Sequence, residues 1–157
     1  MQWDCQAALG GFGCGVVMSR APAATIAKEH YELLASLRYQ LRRFLQFSGE
    51  AASAEGLTAQ QHQALLAIKG FPGRDRVSIG ELAERLQVKH HSAVGLVDRL
   101  VARQLVRRVP SQEDRRRVEI SVTPKGEALL RRLSETHLAE LQEQGPELRR
   151  LLKLIGK

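Results

Sequence analysis

Cysteine is nearly missing from this chain: of 157 residues only Cys5 and Cys14 carry a thiol, and both lie near the N-terminus. With no histidine or further cysteine gathered around them, they match neither a disulfide framework nor a zinc cluster, and they fit a reducing, cytoplasmic setting. Aromatic residues are also scarce, at 4%. Residues 5–18 are apolar and glycine-rich but too short to span a bilayer, so no membrane partner is expected. Asp4 is the sole charge before Arg20, and the basic n-region of a secretion signal is therefore lacking. The glycines of GGFGCG have no strand before them and no Gly-Lys-Ser/Thr after them, which argues against a phosphate loop. We expect residues 1–20 to form a flexible tail, with Met18 offering an internal translation start. No nucleophile, base and orienting group stand together as a catalytic set, so neither an enzyme nor a cofactor or metal site is expected.

Positive charge, by contrast, is abundant. The formal net charge is +7 and the isoelectric point is near 10.0, with 43% hydrophobic and 26% charged residues, as in an ordinary globular protein. Most of the excess sits in one stretch. From Arg85 to Arg117 there are nine Lys or Arg against three acids, Asp98, Glu113 and Asp114. Charge concentrated in this way is the footprint of a nucleic-acid partner.

The apolar spacing gives the elements. Ile26, Leu33, Leu34, Leu37, Leu41, Phe44 and Leu45 predict an amphipathic helix over residues 24–47, ending near Ser48-Gly49. Thr58 followed by Gln61 is a capping-box pattern that opens a second helix, stopped by Gly70 and Pro72. Ser78 and Glu81 repeat the box for a short third helix, and Gln87-Val88-Lys89 is the turn before a fourth, from His90 to about Arg103. Two alternating runs, Leu105–Val109 and Val118–Val122, then flank a turn-rich cationic segment and read as a β-hairpin. Thr123-Pro124 opens a fifth helix that Gly145-Pro146 is expected to break, leaving a last short helix carrying Leu148, Leu151, Leu152 and Ile155. The predicted fold is mainly α with a small β-hairpin: a winged helix-turn-helix with N- and C-terminal dimerisation helices. Its parts are a tail (1–20), an N-terminal dimerisation helix (21–50), a winged DNA-binding domain (57–123) and C-terminal dimerisation helices (124–157). The outer helices carry more leucine than a small domain can cover, which implies a two-fold homodimer.

In such a motif the second helix enters the major groove. This places Lys89, His90, His91, Ser92, Gly95 and Arg99 at the reading surface, and puts Asp114, Arg115, Arg116 and Arg117 at the hairpin tip. We expect Asp114 to pair with one arginine and shape the tip, leaving Arg116 for the minor groove. The rival reading, a winged-helix protein-interaction module, predicts binding with little salt dependence. It does not explain why the charge sits on the reading elements.

The stretch ELAERLQVKHHSAVGLVDRLVARQLVRRVPSQEDRRRVEISVTPKGEALL resembles the MarR family of winged helix-turn-helix transcriptional regulators, in its LVDRL helix, EDRR wing and TPKGEALL helix start. The resemblance implies a homodimer on double-stranded DNA at a palindromic operator, acting as a repressor released by a small aromatic effector. It also implies Asp114 and Arg116 as the wing pair and His90 to Gly95 as the start of the reading helix. Gln104 departs from the family's glycine and must accept or avoid a left-handed backbone. Nothing in the spacing picks out an effector pocket; Arg38, Tyr39 and His62 are the candidates on the first two helices.

Overall fold

The computed structural model describes residues 26–111 and 118–155. The expectations for the N-terminal tail and for the hairpin tip from Gln112 to Arg117 lie outside the described residues. The order of elements is α1 (Lys28–Ala54), α2 (Ala59–Lys69), β1 (Arg76–Ser78), α3 (Ile79–Leu86), α4 (His90–Ala102), β2 (Val106–Pro110), β3 (Val118–Val122) and α5 (Pro124–Ile155).

Both capping boxes form. The Thr58 hydroxyl accepts from the Gln61 N–H while the Gln61 amide oxygen accepts from the Thr58 N–H, and Ser78 and Glu81 repeat the exchange. Three helices end by one device, in which a residue of positive φ lets the next N–H fold back to a carbonyl of the last turn. Gly56 (φ 71) ends α1 with Leu57 N–H on Ala52; Gln87 (φ 53) ends α3 with Val88 on Ala83; Gln104 (φ 59) follows α4 with Leu105 on Leu100. Gln104 thus adopts the left-handed conformation for which glycine is better suited.

The structure corrects two sequence expectations and extends a third. α1 does not stop at Ser48-Gly49 but runs to Ala54, because Ala52 is fully buried in the core and the true stop signal is Gly56. The hairpin is part of a three-stranded antiparallel sheet in the order β1-β3-β2, with Val77 opposite Ile120 and Val106 opposite Val122. Three residues are too few for the alternation that marks a strand. The predicted break at Gly145-Pro146 is absent, and α5 is one helix with Pro146 inside it. The proline ring crowds both the N–H and the Cβ of the residue before it, and Gly145 lacks the Cβ. The apolar stripe continues beyond the proline to Leu151, which is 2% exposed.

A single core joins α1–α5 and the sheet through Leu65, Ile68, Leu82, Leu100, Ile120 and Leu133. Thr123 locks the base of the hairpin onto α5. Its hydroxyl donates to the Gln104 carbonyl at 2.7 Å and accepts from the Gly126 N–H at 3.1 Å. Gly126 is buried there, and a Cβ on it would lie 2.2 Å from the Leu105 carbonyl oxygen and 2.8 Å from Val122 Cγ1. Only glycine allows that approach.

Candidate nucleic-acid interface

α3, the turn at Gln87 and α4 form the helix-turn-helix. Ala83 and Leu82 face Val97 and Leu100 in the core, which leaves the opposite face of α4 to solvent. On that face Lys89, His90, His91, Ser92 and Arg99 are all exposed. Lys89 occupies the N-cap without a side-chain cap, and no acid stands in the first turn of α4. The positive end of the helix is therefore open to acceptor groups of a ligand. Gly95 is half-buried, and a Cβ there would make only ordinary contact with Arg99 Nη1, at 3.5 Å. The protein itself does not require glycine at this position.

β2 extends from the C-terminal end of α4, and Arg107 and Arg108 on it are exposed. Arg108 donates to Asp98 at 2.5 Å, tying the hairpin to the middle of α4. That pair was not legible in the sequence, where Asp98 counts only as an acid among bases. Asp114, Arg115, Arg116 and Arg117 lie outside the described residues.

The cluster of nine bases is not uniformly available. Arg103 turns inward and donates to the Gly56 carbonyl at 2.7 Å and to Gln61 Oε1 at 3.3 Å, bracing α4 against the α1–α2 turn. Arg85 stacks on the Phe71 ring at 4.7 Å, with Arg74 at the same distance from that ring. Arg108 is neutralised by Asp98. Charge counted along the chain therefore overstates what remains for a polyanion.

Ionic ties also run from this lobe to α5. Arg132 grips Glu55 with two hydrogen bonds, and the guanidinium holds the Glu55 carboxyl below its ordinary range. Lys69 donates to Glu127 at 2.6 Å, and that hydrogen bond raises its pKa. Where α1, α2 and α5 meet, His62 (3% exposed) lies against His137 (8% exposed), ring centroids 4.6 Å apart. His137 donates from Nδ1 to the Leu133 carbonyl at 2.5 Å, and its Nε2 is hydrogen-bonded with the Ser48 hydroxyl at 2.8 Å. Phe44 and Phe47 meet the His137 ring edge to face. Among the described residues His62 Nδ1 has no hydrogen-bond partner, and burial, then the neighbouring imidazole, pushes the His62 pKa down. The three effector candidates do not share one environment: Tyr39 is 64% exposed and Arg38 is exposed, whereas His62 is buried.

This geometry has counterparts. The MarR family model matches residues 55–117. The chain is 35% identical over 89 residues to the transcriptional activatory protein BadR of Rhodopseudomonas palustris, covering 56% of this chain and 51% of that protein, about half its length. It is 30% identical over 119 residues to a protein of Thauera aromatica named as a candidate transcriptional regulator for an hcr operon, covering 73% of this chain and 70% of the relative. Among solved structures it is similar to a MarR family protein from Bacillus stearothermophilus (TM-score 0.69, 23% identity, 85% of this chain and 100% of that one). It is also similar to a MarR variant from E. coli complexed with operator DNA (TM-score 0.59, 24% identity, 81% and 95%).

Proposed function

Since the chain belongs to the MarR family, we propose that it binds double-stranded DNA as a two-fold homodimer and regulates transcription in the cytoplasm without catalysis. The observation that carries this reading is the exposed, uncapped start of α4. Lys89, His90, His91 and Ser92 are all exposed there, with no acid in the first turn, and Arg99 is exposed further along the helix. A helix so presented fits a major groove, and Arg115, Arg116 and Arg117, which follow β2 in the sequence, are the bases we assign to the flanking minor groove.

The dimer is supported by the outer helices. Leu34, Leu41, Leu45, Leu138, Leu152 and Ile155 are each 48% exposed or more, a density of apolar surface that a lone globule does not carry. Two-fold pairing would set two reading helices on successive half-sites of a palindrome. Occupancy of a promoter represses, and a small aromatic effector that shifts the lobes relative to the paired helices would release the DNA; the family resemblance supports this part of the reading.

The test starts from genomic fragments enriched on the purified protein. An enriched palindromic duplex is then used in gel shifts with wild type and Arg116→Ala. We expect the variant to bind about fivefold more weakly or worse, as for loss of an arginine contact of roughly 1–3 kcal/mol. Affinity within twofold of wild type would remove Arg116 from the interface. Thermal-shift screening of aromatic acids, followed by release from the same duplex, tests the effector.

A further inference from the structure

α2 shares the exposed face of α4. It turns Gln61 inward to its capping box, 7% exposed, while Gln60 and Gln63 remain on its outer side. Between them and α4 lies a cleft of about 400 Å³, walled by Gln60 and Gln63 on one side and by His91, Ser92 and Arg99 on the other, with Leu96 in its floor. Among the described residues that line it, none is acidic. Arg99 is folded back along α4 with its guanidinium over Gly95, one turn earlier and also in the lining, so its charge is held inside the cleft.

We propose that this cleft is a phosphate subsite. It receives a backbone phosphate of duplex DNA when α4 enters the major groove, with Arg99 as the cation and the Gln60 and Gln63 amides as neutral donors. The inference rests on the DNA-binding reading above and extends the interface to a helix outside the helix-turn-helix. A major groove about 12 Å wide brings elements beside an inserted helix up against its bordering phosphates. Amides suit that task, because they donate to a phosphate without the long reach or the desolvation cost of a second cation. A contact of this kind carries no sequence information, so it serves every duplex equally.

The experiment measures affinity of the full-length protein for a labelled duplex over a series of salt concentrations. Wild type is compared with the Gln60→Glu/Gln63→Glu double variant and with Gln63→Lys, both surface changes checked by thermal melting. The double glutamate variant should bind about tenfold more weakly or worse, to the same extent on operator and on unrelated duplex. Gln63→Lys should bind more tightly and steepen the salt dependence by about one unit. If wild type binds and both variants stay within twofold of it with an unchanged salt slope, the cleft faces away from the DNA and the inference fails alone. If wild type binds no duplex, the parent reading fails and takes the subsite with it. Inorganic phosphate, added at matched ionic strength, separates the sources. Stabilisation of wild type by phosphate together with unchanged DNA binding of Gln63→Lys would assign the cleft to the free anion and overturn the proposal.

Discussion

The winged lobe and the long outer helices are built on opposite terms. In the lobe, capping boxes open α2 and α3, and the core residues Leu65, Ile68, Leu82, Leu100 and Ile120 are at most 1% exposed. The outer helices are 27 and 32 residues long, yet α1 buries only Ala52 of its own residues and leaves Leu34, Leu41 and Leu45 about half exposed. A lobe closed in this way can keep one shape while it is carried by helices whose own packing, in the proposed dimer, a second copy completes. Shape is thus decided inside the lobe and spacing outside it. The His62–His137 contact and the Glu55–Arg132 pair lie where the two regimes join.

The largest effect is expected at the tightest point of the lobe. Gly126→Ala drives a methyl into the Leu105 carbonyl, and we expect a loss of about 3 kcal/mol or more, at the top of the range for overpacking, read as a lowered urea midpoint. A midpoint equal to wild type would mean that α5 does not sit this close to the hairpin base. The outer helices should respond differently. Leu45→Glu with Leu138→Glu should convert a dimer to a monomer in analytical ultracentrifugation while the helical circular-dichroism signal of the lobe persists; an unchanged dimer would place the interface elsewhere.

At the junction the expected effect is smaller and depends on pH. Burial lowers the His62 pKa below its ordinary 6.5, so folding favours the neutral ring. Its contribution is complete above pH 6.5 and is lost as pH falls below that value towards the depressed folded pKa. Unfolding midpoints of wild type should therefore drop more steeply on the acid side than those of His62→Gln. Parallel curves would show that another group titrates. The smallest change is Gln104→Gly, which relieves a left-handed glutamine and should raise stability by about 0.5–1 kcal/mol in the same urea assay; a lower midpoint would mean that chain entropy outweighs the relief.

What could be read in the sequence tracks the distance over which each signal acts. Thr58 with Gln61, Ser78 with Glu81 and Thr123 with Pro124 are local patterns, and each forms as read. The strand β1 was not legible, because three residues carry no period and are held by pairing with Ile120, more than forty positions away. Gly145-Pro146 misled for a related reason: local chemistry argues for a stop, and the continued burial of Leu151 overrides it. At the interface, the run from Lys89 to Arg99 was legible as a helix face. The diversion of Arg103 to Gly56 and of Arg108 to Asp98, and the approach of Gln60 and Gln63, arise only when the chain folds back on itself.

In the proposed complex a closed lobe presents α4 and its hairpin to DNA, and paired outer helices set two such lobes at one spacing. Footprinting of the wild-type protein on an enriched genomic site tests it most directly. Two protected half-sites related by a dyad are expected, their centres about one helical turn of DNA or a multiple of it apart, with protection lost steeply as salt rises. A single unsymmetrical footprint, or protection insensitive to salt, would contradict it.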